Sequence, residues 1–242
     1  MNTRLMKVSL GIAVLTLLAS ACGIVPIFGS RHLITETRQV SDFERVEISG
    51  GGILEIIQDG TESLIIETDD NIMPYVTSEV STGLLRVGME FGVRTFLPSK
   101  MHVSLHVKDL SAINTSGSWN VTSSSFQGDA LSIAISGTGD VVIDELTVNT
   151  LDTSISGTGS IDLTGEAKTE TINISGSGKI ETGDFRAQDV TVSISGTGNG
   201  TVWATKTLTV EVSGSGTVNY YGSPQVSFNQ SGSGKVINLG EK

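Results

Sequence analysis

Cysteine, proline and aromatic residues are scarce in this chain of 242 residues, and basic residues are outnumbered by acidic ones. The single cysteine excludes any intrachain disulfide. The formal net charge of -11 argues against nucleic-acid binding, which needs basic patches that displace counterions from phosphates. Glycine is abundant instead, with 29 residues, and serine, threonine, valine and isoleucine are frequent. This composition predicts many short strands joined by tight turns.

The N-terminus has the organisation of an export signal, and residues 1–21 are predicted to be a signal peptide. A short basic segment precedes the apolar run VSLGIAVLTLL, which is too short to span a bilayer as a mature helix. Two cleavage sites fit. Ala19-Ser20-Ala21 matches an ordinary secretory site, whereas LASAC at 18–22 resembles a bacterial lipobox.

Cys22 favours the lipobox interpretation. It is the only cysteine of an exported chain, so it would otherwise be a free thiol, and directly after the cleavage point it is suited to carry lipid. More than one acyl chain on one residue anchors a protein stably. Gly23, rather than aspartate, follows Cys22, which predicts the outer membrane if the source is Gram-negative. Residues 22–32 then form a lipidated tether.

A tetrad of Ser, Gly, Ser or Thr, and Gly recurs in the C-terminal half of the chain. Its copies begin at Ser136, Ser156, Ser175, Ser195, Ser213 and Ser231, and a degenerate copy begins at Ser116. The spacing of about 18–20 residues is too long for a nonapeptide calcium roll and too short for a propeller blade. It predicts an all-β, parallel β-solenoid with one period per coil, in which the two glycines permit a sharp bend with positive φ.

Apolar and polar columns alternate when the copies are aligned on the tetrad serine. The apolar columns lie three and one residues before the serine and five residues after it, as in Ile133, Ile135 and Val141. Coils stacked about 4.8 Å apart turn such columns into apolar ladders. Gln230 and Asn238 interrupt the columns in the last copy, as expected for an end that must not aggregate.

Residues 33–110 lack the tetrad but still have strand patterns separated by turns. They are predicted to form either irregular N-terminal coils or a small β subdomain. One continuous domain over residues 33–242 is favoured, with the repeats at 111–240, because no Pro- or Ser-rich linker divides the region.

Four segments in this order resemble a known bacterial family, the "putative auto-transporter adhesin, head GIN domain" proteins. They are FERVEISGGGILEIIQDGTESLIIETDDN (43–71), TGLLRVGM (82–89), VKDLSAINTSGS (107–118) and the serial tetrads. The resemblance covers residues 33–240. It implies a right-handed, single-stranded parallel β-helix like that of pectin lyases, without their catalytic residues, and a role in adhesion at the cell envelope. With no membrane-barrel segment before Lys242, the lipid on Cys22 is expected to act as the anchor.

Metal and phosphate sites are not favoured, and no cofactor is predicted. The counterparts of Asp140 in later tetrads are Ser160, Lys179, Asn199, Thr217 and Lys235, whereas a calcium roll needs stacked carboxylates. No copy matches a phosphate-binding loop that leads into a helix. His102 and His106 would lie about 13 Å apart on one strand, too far to share a zinc ion, and are expected to be exposed.

Three outward features remain as candidate sites. Asp162 and Glu181 share a column on adjacent coils, but their column neighbours form no organised cleft, so no catalytic residue is predicted. The Ser and Thr ladders are explained by hydrogen bonds along the solenoid, with a polar array for glycan or ice as the alternative. Trp203 and Tyr221 also share a column. They are the candidate surface for a glycan or a partner protein, with cover by a loop or the C-terminal tail as the alternative.

The sequence therefore favours a non-catalytic, lipid-anchored envelope protein with an adhesin-like β-helix module. Its expected partners are the membrane, through the lipid, and a glycan or surface protein. Two alternatives remain open. One is a carbohydrate-active enzyme on the same scaffold, and the other is a structural or periplasmic partner-binding protein.

Overall fold

β-Strands make up 77% of the residues that the structure describes. The computed structural model describes residues 25–96 and 101–242, so Cys22 and the export signal lie outside the described residues. The strands are β1 (Val25–Phe28), β2 (Leu33–Arg38), β3 (Arg45–Gln58), β4 (Ser63–Asp69), β5 (Val76–Ser81), β6 (Leu84–Met89), β7 (Val93–Phe96), β8 (His102–Val107), β9 (Ala112–Ser123), β10 (Phe126–Gln127), β11 (Ala130–Thr147), β12 (Thr150–Gly176), β13 (Lys179–Gly196), β14 (Asn199–Gly214), β15 (Thr217–Tyr221), β16 (Gln225–Gly232) and β17 (Lys235–Gly240). One 3-10 turn, Met73–Tyr75, interrupts them.

Parallel stacking of these strands builds a β-solenoid of about six turns. The stack runs from β3 through β9, β11, β12, β13 and β14 to β15 and β16, which occupy the next coil together, and ends on β17. Tetrad serines lie opposite one another from coil to coil, as in Ser136 with Ser156 and Ser195 with Ser213. The fold class predicted from the repeat is confirmed.

β3 supplies a further tetrad, which the count of repeats from the sequence missed. Ser49 lies opposite Ser116, and Gly50 opposite Gly117, in the parallel pairing of β3 with β9. Both glycines have positive φ, 109° and 102°. The first coil of the solenoid therefore begins at β3, and the chain leaves the stack after it before returning at β9.

The excursion between β3 and β9 forms an antiparallel layer. β2 pairs with β4, β4 with β8, and β5 with β6, all antiparallel. β6 and β8 also pair in parallel with the two halves of β3, at Arg45–Ile48 and Ile53–Gln58. The edge of the first coil is therefore covered by this layer, and the layer and the solenoid share one 15-stranded sheet.

The two glycines of a tetrad have different roles. The first bends the backbone, as Gly157 does with φ of 150°. The second has positive φ at Gly52 and Gly139, and in later copies it lies against the apolar ladder: a Cβ on Gly178 would be 2.7 Å from Cγ2 of Ile155. The expectation that both glycines supply the bend is therefore wrong for the second glycine of those later copies, whose missing side chain makes room for the isoleucine of the preceding coil.

Candidate functional site

A groove of about 690 Å³ runs along the outside of the solenoid, across five successive coils. It follows the strand that leads into each tetrad. One row of its lining is formed by tetrad serines, namely Ser156, Ser175, Ser195, Ser213 and Ser231. The second row lies two residues earlier in each coil and consists of Ser154, Asn173, Ser193, Glu211 and Asn229. Five coils about 4.8 Å apart give the groove a length of about 19 Å.

Strand alternation produces the groove. In the fifth coil Gln230 lies between the two rows and donates to the carbonyl oxygen of Gly232. In the first four coils the residues between the rows are Ile155, Ile174, Ile194 and Val212, which are at most 2% exposed and form one of the core ladders. Their neighbours on both sides must therefore point outward. Each coil in this way adds one hydroxyl from the tetrad and one further polar group, which in the fourth coil is the carboxylate of exposed Glu211.

Side chains in the two rows make no hydrogen bond or ion pair with any residue in the ranges 25–96 and 101–242. Hydroxyls at the third tetrad position behave differently. The hydroxyl oxygens of Ser118 and Thr138 are 2.8 Å apart, and those of Ser177 and Thr197 are 3.0 Å apart. Each pair therefore forms a hydrogen bond along the solenoid axis, as the ladder interpretation predicts. The groove rows instead present ten polar side chains whose hydrogen-bonding capacity is available to a ligand or to water.

Trp203 and Tyr221 lie in register on β14 and β15 and are half-buried. The ammonium group of Lys242 is 5.8 Å from the centroid of the Trp203 ring and 4.8 Å from that of Tyr221, within the range of cation–π attraction. The same ammonium donates to the carbonyl oxygen of Gly183 at 2.7 Å and forms an ion pair with Asp184. The C-terminal tail thus packs against the aromatic pair, which is the alternative arrangement considered from the sequence.

Asp162 and Glu181 lie opposite each other on β12 and β13, as the shared column predicts. Glu181 is bound by Lys179, with 2.8 Å between Nζ and Oε1, and its hydrogen bond and charge raise the pKa of the lysine. The glutamate is thus held in an ion pair on its own strand. The arrangement supplies adjacent carboxylates, and neither of them lines the groove between the two polar rows.

Each histidine of β8 pairs with a different carboxylate. Nδ1 of His106 is 2.7 Å from Asp59, and Nε2 of His102 is 3.9 Å from Glu55. Hydrogen bonds from Thr61 and then from His106 lower the pKa of Asp59 to about 2. The His106 side chain is 23% exposed, so it is half-buried, contrary to the expectation of exposure. Residues 25–96 and 101–242 contain no group of three or more His, Cys, Asp or Glu side chains suited to a metal ion.

The parallel β-solenoid belongs to the repeat architectures, whose stacked coils present extended surfaces along their sides. The chain belongs to the family described as "Putative auto-transporter adhesin, head GIN domain", whose model matches residues 42–224. The resemblance stated from the sequence motifs is therefore confirmed.

Solved structures share this fold over most of their length. A "putative adhesin" from Bacteroides fragilis NCTC 9343 is 30% identical with a TM-score of 0.83, and the match covers 88% of this chain and 100% of that one. A "putative adhesin" from Parabacteroides merdae ATCC 43184 is 24% identical, with a TM-score of 0.70 and coverage of 88% and 99%. A "putative lipid binding protein" from Parabacteroides distasonis ATCC 8503 is also 24% identical, with a TM-score of 0.73 and coverage of 89% and 100%.

No protein of curated function matches the chain. In the part of the chain that the structure describes, no helix has the length and apolar character needed to cross a bilayer.

Proposed function

We propose that this protein is an exported, lipid-anchored, non-catalytic binding module of the cell envelope that holds a glycan chain in the groove between the two polar rows. One observation carries the proposal: the ten polar side chains of the two rows have no hydrogen-bond partners within the described residues. Membership of an adhesin family supports an exported or envelope location and a role in attachment.

The groove fits a polymer of hydroxyl-rich units. Serine hydroxyls and asparagine amides both donate and accept hydrogen bonds, as sugar hydroxyls do. The rows repeat every coil, about 4.8 Å, which is comparable with the rise of one sugar unit in an extended chain. Glu211 is the only charged residue in the rows, and the whole chain has a net charge of -11, so a neutral glycan is favoured over an acidic one.

Lipid on Cys22 completes the proposal. The anchor would hold the first described strand close to a membrane and leave the solenoid free to present its side to a ligand. Metabolic labelling with a palmitic-acid analogue tests the anchor directly. Label on the wild type and none on Cys22→Ser is the expected result, and an unlabelled wild type would contradict it.

Glycan binding is tested by filling the middle of the groove. Ser193→Tyr places a bulky ring in the central coil, and we expect at least a tenfold loss of binding on a glycan array and to whole cells. Val142→Tyr is the matched control, because Val142 also points outward, is 37% exposed and does not line the groove. Both variants should unfold at the wild-type temperature, since neither position is in the core.

The Trp203→Ala variant distinguishes binding in the groove from binding at the aromatic pair. Unchanged binding by Ser193→Tyr, together with loss of binding by Trp203→Ala, would reject the groove and assign recognition to Trp203 and Tyr221. Absence of binding by the wild type to any glycan or cell would reject the adhesive function itself.

A further inference from the structure

The ammonium group of Lys242 lies in a site made by four groups from three coils. The ring centroids of Trp203 and Tyr221 are 5.8 Å and 4.8 Å from it, the carbonyl oxygen of Gly183 accepts its hydrogen bond at 2.7 Å, and the carboxylate of Asp184 forms an ion pair with it. A primary ammonium group has three N–H donors and is attracted to aromatic rings, so two acceptors and two rings match its chemistry. All four contacts meet at one nitrogen atom.

The backbone of β13 is shaped to supply the two acceptors. Residues 183–185 have no counterpart on β14, because the register shifts between Thr182 and Arg186. A bulge of this kind leaves backbone groups unpaired toward the neighbouring strand and changes the direction of nearby side chains. One such group, the carbonyl of Gly183, accepts from the ammonium group. Glycine at this position also makes room for the aromatic pair, since a Cβ there would be 3.3 Å from Cε2 of Tyr221.

The two residues before the lysine are also bound by the side of the solenoid. The backbone amide of Gly222 donates to the carbonyl oxygen of Gly240 at 2.9 Å. The hydroxyl of Ser223 donates to the carboxylate of Glu241. The surface therefore contacts a backbone carbonyl, an acidic side chain and a lysine in succession, which is the pattern of a short peptide rather than of an isolated ammonium ion.

Lys242 is held at the surface, where it can be exchanged. Its side chain is 32% exposed, and that of Asp184 is 70% exposed. Ion pairs and cation–π contacts between exposed groups are weak, because water solvates and screens the charges. Attachment to the same chain gives the lysine a high effective concentration at the site and compensates for the weak contacts. A lysine of another polypeptide can make the same contacts and compete for them.

We propose that Gly183, Asp184, Trp203 and Tyr221 form a binding site for a lysine side chain of a partner polypeptide, and that Lys242 occupies this site until the partner displaces it. The partner is a polypeptide in which an acidic residue directly precedes the lysine, because the surface also binds the backbone and the acid that precede Lys242. None of the four residues lines the groove between the two polar rows, so this site is independent of the proposed glycan site.

A peptide with the sequence of residues 238–242, Asn-Leu-Gly-Glu-Lys, carrying a fluorophore at its N-terminus, tests the site. Fluorescence anisotropy should show that the Lys242→Ala protein binds it about tenfold more tightly than the wild type does, because the internal competitor has been removed. Norleucine in place of the peptide's lysine should abolish binding, and so should Trp203→Ala added to Lys242→Ala. Lys206→Ala is the matched control and should bind like the wild type, because Lys206 is another exposed lysine, whose ammonium donates to Gln188 at 2.6 Å.

Four results would overturn the inference. No binding of the peptide by the Lys242→Ala protein would show that the segment 240–242 only fastens the last coil to the solenoid. Equal binding of the lysine and norleucine peptides would show that the ammonium group is not recognised. Binding of chitosan oligomers by Lys242→Ala in place of the peptide would assign the site to an amino sugar. Wild-type dimers that dissociate on Lys242→Ala, measured by light scattering, would show that the lysine of a second copy is the occupant.

Discussion

Glu170 is a carboxylic acid placed in a core ladder. On the next two coils its position is occupied by Val190 and Leu208, and it is 1% exposed. Neither of its carboxyl oxygens has a hydrogen-bond partner among the described residues, and the nearby Thr182 hydroxyl donates to the carbonyl oxygen of Thr201 instead. Burial raises the pKa of Glu170 to about 8 from its ordinary value of 4.5.

This acid should make the stability of the protein pH-dependent. A raised pKa means that the folded state binds the proton more tightly, so the stabilising contribution is complete below pH 4.5 and is lost as the pH rises to about 8. The free energy of unfolding should fall by up to about 5 kcal/mol across that window. Glu170→Leu, which matches the ladder, should abolish the fall. Urea unfolding of both proteins at pH 5 and pH 9 measures the change in the free energy of unfolding.

Glu166→Gln is the control, because Glu166 is an exposed acid on the same strand and its replacement should leave the pH dependence intact. Equal stability of the wild type at pH 5 and pH 9 would show that Glu170 is not a protonated core residue.

Gly157 illustrates why the tetrads tolerate no side chain at their second position. A Cβ there would lie 2.3 Å from the carbonyl oxygen of Gly137 on the preceding coil, in addition to the strain of φ at 150°. Gly60 also has positive φ, 81°, but nothing lies within 4 Å of its Cβ position. A comparison of the two sites therefore distinguishes the cost of backbone strain, which both share, from the cost of the close approach of coils, which only Gly157 has.

Alanine should destabilise the two glycine sites to different degrees. We expect Gly60→Ala to cost about 1 kcal/mol, since only the left-handed conformation is penalised. Gly157→Ala should cost more than about 3 kcal/mol, because two backbones must move apart. Thermal or urea unfolding gives both values, and equal costs would contradict the steric role of stacked tetrads.

The strands of the repeat were the easiest elements to predict. The nearly regular spacing of Ser136, Ser156 and the later tetrads determines both the register and the buried columns, because each coil repeats the environment of the one before. Ser49 escaped detection because the antiparallel layer of β4–β8 breaks the period between it and Ser116. The third residue of this copy is Gly51 rather than Ser or Thr, so only a search for Ser-Gly-x-Gly, without a fixed spacing, would have found SGGG at 49–52.

The candidate binding surfaces were harder to predict than the strands. Alternation shows that the two polar rows face outward, but the cross-section of the coil determines that they line a groove. The contact of Lys242 with Trp203 depends on how the tail folds back, which no local pattern encodes. Glu170 is a polar residue in an otherwise apolar column of the aligned repeats, opposite Val190. That position in the alignment is the signal from which its burial could have been predicted.

The solenoid as a whole has one covered end and one open end. β6 and β8 cover the edge of β3, whereas β16 and β17 pair on one side only, with β14 and β15. Phe228 continues the core column of Val210, yet it is 39% exposed while Val210 is fully buried. Gln230 interrupts the neighbouring column, as predicted for the last copy, but apolar side chains remain exposed at this end.

Unfolding should therefore begin at the C-terminal end and proceed coil by coil, because in a repeat protein each coil is stabilised mainly by its neighbours. Amides of β16 and β17 should exchange with solvent faster than those of β12 and β13 in native-state hydrogen exchange. Leu208→Ala, in a fully buried position, should cost about 2–5 kcal/mol, whereas Phe228→Ala should cost under about 1.5 kcal/mol despite removing a larger side chain. Uniform exchange along the axis, or a larger cost at Phe228, would mean that the open end is covered in solution and that the last coil is part of an interface.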